Sequence, residues 1–303
     1  MVDGETGFPN DPLFRNLKGT VIDPPAFKGR VADTHCHLDM MERPDLALAR
    51  CAHHNVMLVV TIVEATENPI HTYDMLAEWL AEAAGLLDGW GTPGLLPTVR
   101  VVAGCHPQLA SKYDKKVGNI IMRCALHPLT VAIGEIGLDY YYETAPRDTQ
   151  KDVFKRQLEL ANELGKPVVL HVRDAHEDAL EILQTQGMPK QGALLHCYTS
   201  DWETLKPFLD LGCHVAFGGA MTFNNGEAIR DAAKHAPLDR ILTETDSPYM
   251  APVPLRGTTC SPAKVVFTAR ALAEVREVPE GEYEAFYEAL YDNAHRFYRI
   301  EQW

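Results

Sequence analysis

The sequence lacks any apolar run of the roughly 18–20 residues that a membrane-spanning helix needs. Its first sixteen residues, MVDGETGFPNDPLFRN, contain neither the basic region nor the apolar core of a secretory signal. The seven cysteines are an odd number, and no two of them form a Cys-x-x-Cys pair. We therefore expect a cytoplasmic protein with reduced thiols and no membrane contact.

Basic residues are also scarce. The chain has 28 Lys and Arg but 42 Asp and Glu, which gives a net charge of -14. A surface this acidic repels DNA and anionic membranes on average, so we expect no extended footprint on a duplex. A short strand held at a local cationic site remains compatible, because bound metal ions would dominate the field there. The 46% hydrophobic and 23% charged content is that of an ordinary globular protein.

Eight short apolar runs, rich in β-branched residues, each predict a strand. They lie at 31–34, 56–63, 100–103, 131–133, 167–171, 193–196, 214–217 and 241–244. Amphipathic stretches that predict helices lie between them, such as 148–166, where Gly165 is the expected end of the helix. Alternating strands and helices indicate a parallel sheet. Eight such units favour an α/β fold of the (β/α)8 TIM-barrel type over a doubly wound sheet.

Two segments lack this alternation. Residues 1–27 are rich in Pro, Gly and Asp, and we interpret them as an N-terminal extension on the surface of a single barrel domain, 28–303. The glycine-rich segment 85–97 predicts an inserted loop before the third strand, and the proline-rich segment 250–262 predicts a loop after the last.

Residue types that bind metals stand at the ends of five predicted strands. His35 and His37 are two residues apart on the first strand and therefore point to the same side. The carboxyl ends of barrel strands meet at one mouth, where barrel enzymes keep their active sites. We expect six side chains to converge there: His35, His37, Glu135, His171, His196 and Asp246.

Six donors exceed the needs of one tetrahedral ion and suit two divalent ions that share Glu135. The mixed nitrogen and oxygen set is compatible with Mg, Mn, Fe or Zn and does not select among them. The hypothesis is hydrolysis by a metal-activated water. In it, Asp246 orients the water and takes its proton, with Glu135 as the second catalytic carboxylate.

Four further residues near the predicted mouth are candidate substrate contacts: His106, Arg173, Arg256 and Tyr140. The histidine and the arginines suit a phosphate group. The other readings are a loop cap for His106 and an ion pair with Asp174 or Glu177 for Arg173.

Three tyrosines follow strands that carry ligand types, and their rings suit stacking on nucleic-acid bases: Tyr140, Tyr141 and Tyr198. Ordinary packing is the alternative for each of them. Glu244, two residues before Asp246, is either a support for the ligands or a residue at the rim of the core.

Several segments, in this order along the chain, resemble the TatD family of metal-dependent deoxyribonucleases, within the wider metal-dependent hydrolase barrels. The segments are VADTHCHLDM (31–40), GCHP (104–107), GEIGLDYY (134–141), 154–180, LLHCYTS (194–200), GGAMTF (218–223), 238–257 and NAHRFY (293–298). The resemblance places the family's metal ligands on the same six residues. It implies a DNase of the 3′–5′ exonuclease type that acts on single-stranded DNA or 3′ ends, and a monomer.

One departure from the family pattern concerns substrate choice. Family members usually follow the RG of the last loop with Lys-x-Asn-Glu-Pro, where this chain has TTCSP (258–262). A basic residue and an amide are thereby absent from the mouth. The alternatives are a hydrolase of an ester or amide, such as mischarged aminoacyl-tRNA, and a small-molecule phosphoesterase. A barrel that only binds is disfavoured, because all six ligand positions hold competent residues.

Overall fold

A computed structural model describes residues 10–25 and 29–301. The strands are β1 (Phe14–Arg15), β2 (Val21–Ile22), β3 (Val31–Cys36), β4 (Val56–Glu64), β5 (Thr98–Gly104), β6 (Thr130–Asp139), β7 (Val168–Arg173), β8 (Ala193–Leu195), β9 (His214–Phe217) and β10 (Ile241–Thr243). The helices are α1 (Pro44–His53), α2 (Ile70–Gly89), α3 (Lys115–Ala125), α4 (Arg147–Leu164), α5 (His176–Gln186), α6 (Trp202–Asp210), α7 (Glu227–His235), α8 (Val265–Val275) and α9 (Tyr283–Tyr298).

Strands β3 to β10 form one parallel sheet in chain order, and a helix follows each strand. The sheet curls until β10 lies beside β3, which confirms the predicted (β/α)8 barrel. All eight predicted strands are present. No described helix is both long and apolar enough to cross a membrane.

Alternate residues of each strand serve two separate layers of the core. On β4, Leu58 and Val60 point into the barrel, whereas Val59 packs outward against the helices. Helix α9 closes the barrel at the amino ends of the strands, because Phe297 and Tyr298 pack with the inward-pointing side chains. Among the described residues, the carboxyl ends of the strands form the open end of the barrel.

The seam between β10 and β3 closes the barrel and also aligns two ligand-bearing segments. The Thr34 hydroxyl donates to the carbonyl of Thr243 at 2.9 Å. Beyond β10, the Asp246 N–H donates to the carbonyl of His35 at 2.9 Å, and the His37 N–H donates to Ser247 at 2.8 Å. Barrel closure therefore brings the first and last candidate ligands together.

The expected inserted loop at 85–97 is wrong in its first part. Helix α2 continues to Gly89, because Leu87 lies on its buried face and anchors the last turn despite two glycines. The loop that precedes β5 is correspondingly shorter.

Part of the N-terminal extension packs on the barrel. Strands β1 and β2 form a short hairpin. Phe14 is buried, stacked on His54 with ring centroids 4.3 Å apart and edge-on to Phe267. Residues 1–9 and 26–28 lie outside the described residues, so the domain boundary at 27/28 stays a prediction.

Candidate metal centre

Glu135 lies at the centre of a group of histidines at the open end of the barrel. It is 6% exposed, and its Oε1 accepts a short contact from Nε2 of His35. The same oxygen is 3.5 Å from Nε2 of His37 and 3.7 Å from Nε2 of His196. Its other oxygen, Oε2, is 3.3 Å from Nε2 of His106. One carboxylate thus faces four imidazoles.

Glycines on both sides of Glu135 allow β7 to approach this strand closely. At Gly137, where φ is +140°, a Cβ atom would lie 2.1 Å from the carbonyl oxygen of His171. At Gly134 it would lie 2.8 Å from the side chain of Val169. Any larger residue would push His171 away from Glu135.

Asp246 is held in a left-handed backbone conformation, with φ of +57°. Its two neighbours fix it there. The buried carboxylate of Asp33 accepts the Thr245 N–H at 2.9 Å and the Thr245 hydroxyl at 2.6 Å. The Ser247 hydroxyl lies 2.9 Å from the same threonine oxygen. Asp246 Oδ1 is consequently 3.6 Å from Nε2 of His37 and 3.9 Å from Nε2 of His35.

A second part of the cluster is built around His171. Its Nε2 is 3.1 Å from Oδ2 of Asp139, and its Nδ1 is 3.3 Å from Nε2 of His196. The ring of His106 stands edge-on to that of His171, with centroids 4.3 Å apart. His106 therefore belongs to the cluster, and its Nδ1 also accepts the Gln108 N–H at 3.2 Å, which is the loop cap that the sequence analysis gave as the alternative to a substrate contact.

The charges of the cluster favour cation binding. Burial alone would raise the pKa of Glu135, but His196 and His35 hold that pKa well below its usual range. Burial and His35 lower the pKa of His196, and burial lowers the pKa of His106 to about 3. Neutral imidazoles and ionised carboxylates are the forms that bind metals. Burial lowers the pKa of His37, but Asp246 and Glu135 outweigh it and raise that pKa to about 10, so a cation that binds there would displace a proton.

The donor set fits divalent cations. The potential ligand atoms form two groups, and within each group all of the atoms lie within 4.8 Å of one another. The first group comes from His35, Glu135, His196 and Asp246. The second comes from His106, Glu135 and His171, so Glu135 belongs to both. The rings of His35 and His196 stack with centroids 3.9 Å apart. The Nδ1 atoms of both are buried without a hydrogen-bond partner. A cation among these donors would satisfy the crowded lone pairs.

The two predicted arginine contacts both lie against aromatic rings. The guanidinium carbon of Arg173 is 3.9 Å from the centroid of Tyr141, and among the described residues no ion pair joins Arg173 to Asp174 or Glu177. The guanidinium carbon of Arg256, in the last loop, is 4.1 Å from the centroid of Phe223.

Two of the tyrosines expected to stack on bases are otherwise engaged. The hydroxyl of Tyr140 donates to Asp178 at 2.5 Å, and the guanidinium carbon of Arg147 lies 4.2 Å from its ring centroid. Tyr198 is buried, and its hydroxyl donates to the carbonyl of Asp201. Tyr198 therefore has no exposed ring to stack on a base, whereas the ring of Tyr140 is partly exposed and its role in substrate binding stays a prediction.

Asp139 and Glu244 support the ligands in ways that the sequence analysis missed or left open. Asp139 is four residues after Glu135 on β6 and so points to the same side, a signal that could have identified it. The buried Glu244 accepts the N–H of Cys197, the residue that follows His196, and so holds the backbone beside that ligand, although it is too far from Nδ1 of His196, at 3.9 Å, for a hydrogen bond.

Comparison with known proteins identifies close sequence relatives. The sequence profile of a family described as TatD related DNase matches residues 32–299. An uncharacterized metal-dependent hydrolase of Escherichia coli, YcfH, is 35% identical over 277 residues, which cover 89% of this chain and 96% of YcfH. The human 3′-5′ RNA nuclease TATDN2 is 31% identical over 91% of this chain, which spans 36% of that longer protein.

Comparison with solved structures supports the same fold. The crystal structure of YJJV, a TatD homologue from Escherichia coli, superposes with a TM-score of 0.78. The match covers 90% of this chain and 99% of that one at 23% identity.

Proposed function

Because the chain belongs to the TatD family and is a metal-dependent hydrolase of that type, we propose that it is a deoxyribonuclease. In this proposal it hydrolyses phosphodiester bonds from the 3′ end of a single DNA strand. The observation that carries the proposal is the convergence of four imidazoles on Glu135 at the open end of the barrel. The family's description as a DNase and the human relative's 3′–5′ polarity support the substrate and the direction.

The proposed site holds two divalent ions, of Mg, Mn or Zn. One ion would be held by His35, His37, His196 and Asp246, the other would be held by His171 and His106, and Glu135 would contribute to both. Such ions supply Lewis-acid activation of water and neutralise the charge that grows on phosphoryl oxygens.

The chain's own residues carry the remaining steps. Asp246 accepts a proton from the attacking water, since the carboxylate is ionised and its oxygen faces the cluster. Its left-handed backbone, fixed through Thr245, orients that oxygen. Arg173 and Arg256 are the proposed contacts for phosphates of the strand.

The proposal is tested by incubating the protein with a 5′-labelled single-stranded DNA and Mg²⁺ or Mn²⁺, with and without a chelator. We expect products that shorten from the 3′ end and that disappear when the metal is chelated. Asp246→Asn should lower kcat by about 10²–10⁴-fold, because the proton acceptor is lost. Glu284→Ala, an exposed change on α9 far from the mouth, is the matched control.

Two substrate arms separate the proposal from its alternatives. An RNA of the same sequence is included because the human relative is an RNA nuclease. If the RNA is cut faster than the DNA, RNA is the substrate and the DNase proposal is wrong. An aminoacyl-tRNA is the second arm. Turnover of that ester together with intact oligonucleotides would contradict the nuclease proposal, as would undiminished activity in Asp246→Asn.

A further inference from the structure

The exposed aromatic side chains of the described residues lie at the mouth of the barrel. Among the described residues, three Phe, Tyr or Trp side chains are more than half exposed: Tyr141 (58%), Tyr142 (56%) and Tyr249 (51%). Single exposed apolar residues are common and need no explanation. Here, however, all three follow segments that carry candidate metal ligands, and we call them the aromatic rim.

One side of the rim is fixed to the metal cluster by a single carboxylate. Oδ1 of Asp139 accepts the N–H groups of Tyr141 and Tyr142, each at 3.0 Å. Oδ2 of the same residue lies 3.1 Å from Nε2 of His171. The turn that presents the two tyrosines is therefore tied to a candidate ligand.

Arg173 orders these two rings. The rings stand edge-on with centroids 4.8 Å apart. The guanidinium carbon of Arg173 lies 3.9 Å from the centroid of Tyr141 and 4.9 Å from that of Tyr142. A cation over a ring face restrains the ring and leaves its opposite face available. The pair is thus preorganised before any ligand arrives.

Tyr249 stands on the other side of the cluster. Its N–H donates to the carbonyl of Asp246 at 2.9 Å, so a single turn joins it to that candidate ligand. Burial and the charges of Asp246 and Glu135 raise the pKa of Tyr249, and Tyr142 contributes to the same shift.

The chemistry of the rim suits unpaired bases. The chain has a net charge of -14, so a broad basic surface is not what would hold a nucleic acid. Stacking on aromatic rings needs no such surface and tolerates any base, because every base has a flat face. Within a duplex those faces are occupied by neighbouring base pairs.

We propose that Tyr141, Tyr142 and Tyr249 stack on unpaired bases next to the phosphodiester bond that is cut, and that Arg173, besides contacting phosphate, holds the rings of Tyr141 and Tyr142 in place. The rim thereby selects single-stranded ends over duplex ends. This inference rests on the proposed nuclease function and adds the determinant of its substrate choice.

The test compares two single-stranded DNAs of equal length. One is ordinary, and the other carries stable tetrahydrofuran residues without bases at its three 3′-terminal positions. With Mn²⁺-loaded wild-type protein, KM for the ordinary strand should be about five- to a hundredfold lower than KM for the strand without the three bases. This is the range of affinity that stacking of one base supplies. Tyr141→Ala combined with Tyr142→Ala, and separately Tyr249→Ala, should raise KM for the ordinary strand and leave kcat nearly unchanged.

Controls separate stacking from folding and from catalysis. Tyr→Phe at the same positions keeps the ring and should restore the wild-type KM. Leu126→Ala removes an exposed apolar side chain at the opposite end of the barrel and should change nothing. A blunt duplex should be cut more slowly than the single strand by the wild type.

The outcomes distinguish the two proposals. If the wild type cuts neither DNA, the nuclease proposal fails. If it cuts both with equal KM, or if the alanine variants keep the wild-type KM, catalysis stands and the stacking inference is overturned. In that case the rim would be left as a surface for contact with another protein.

Discussion

Thr245 connects the closing seam of the barrel to the candidate metal centre. Its hydroxyl donates to the buried Asp33 and lies within hydrogen-bond distance of Ser247. The residue between Thr245 and Ser247 is Asp246, whose backbone adopts the left-handed conformation that costs energy for any side chain other than glycine. The orientation of one candidate ligand thus depends on a hydroxyl that never touches the cluster.

Replacing Thr245 with valine tests this dependence, since the shape is kept and the hydroxyl is lost. We expect Thr245→Val to destabilise the protein by about 1–3 kcal/mol, because an oxygen of the buried Asp33 loses its partner. The metal concentration for half-maximal activity should rise about tenfold or more, as for other residues that orient ligands. Thermal unfolding and metal titration measure the two effects.

Thr245→Ser keeps the hydroxyl and is the matched control. It should show near-wild-type metal dependence. A valine variant that unfolds earlier but keeps its metal dependence would show that the hydroxyl stabilises the seam without orienting Asp246.

At the scale of the elements, two glycines have opposite consequences for helix stability. Gly165 ends α4 in the left-handed conformation, with φ of +64°, as its position after the periodic segment predicts. Gly85 lies on the exposed face of α2, in a segment whose glycines suggested a loop. A Cβ atom at Gly85 would meet nothing within 4 Å.

Alanine substitution of the two glycines should therefore change stability in opposite directions. Gly165→Ala should lower the free energy of unfolding by about 1–2 kcal/mol, because alanine is strained where φ is positive. Gly85→Ala should raise it by about 0.5–1 kcal/mol, since the unfolded chain becomes less flexible. Denaturant melts measure both, and destabilisation by Gly85→Ala would contradict the helical assignment of this segment.

At the scale of the whole molecule, the barrel gathers candidate ligands from strands that are far apart in the chain. His35 and Glu135 are 100 residues apart and in contact. Crowding ligand atoms in one buried group opposes folding unless a cation is present, and a cation that binds the folded form alone adds to its stability. The assembled site therefore links metal binding to the stability of the entire barrel.

Divalent metal added to the chelated protein should raise its melting temperature. At a free-ion concentration a hundred times Kd the gain is about 2.7 kcal/mol. Glu135→Gln should abolish most of the increase, because the carboxylate at the centre of both ligand groups loses its charge. Glu284→Ala should keep the full increase. Calorimetry measures these melting temperatures. An equal increase in melting temperature for the wild type and Glu135→Gln would mean that the ions bind elsewhere.

Local sequence patterns were sufficient to predict the barrel and the residue types at its mouth. Strand alternation and helical periodicity depend on near neighbours, so the eight strands and the end of α4 follow from the residues themselves. The composition of 85–97 was misleading, because burial of Leu87 outweighed the glycines of its helix.

The tertiary structure alone decided which groups meet. It grouped His106 with Glu135 and His171, turned Tyr140 toward Asp178 and exposed Tyr142 and Tyr249 at the mouth. These outcomes depend on how strands pair in register and where the barrel closes. Register and closure join residues a hundred positions apart, and that information is absent from any short stretch of the chain.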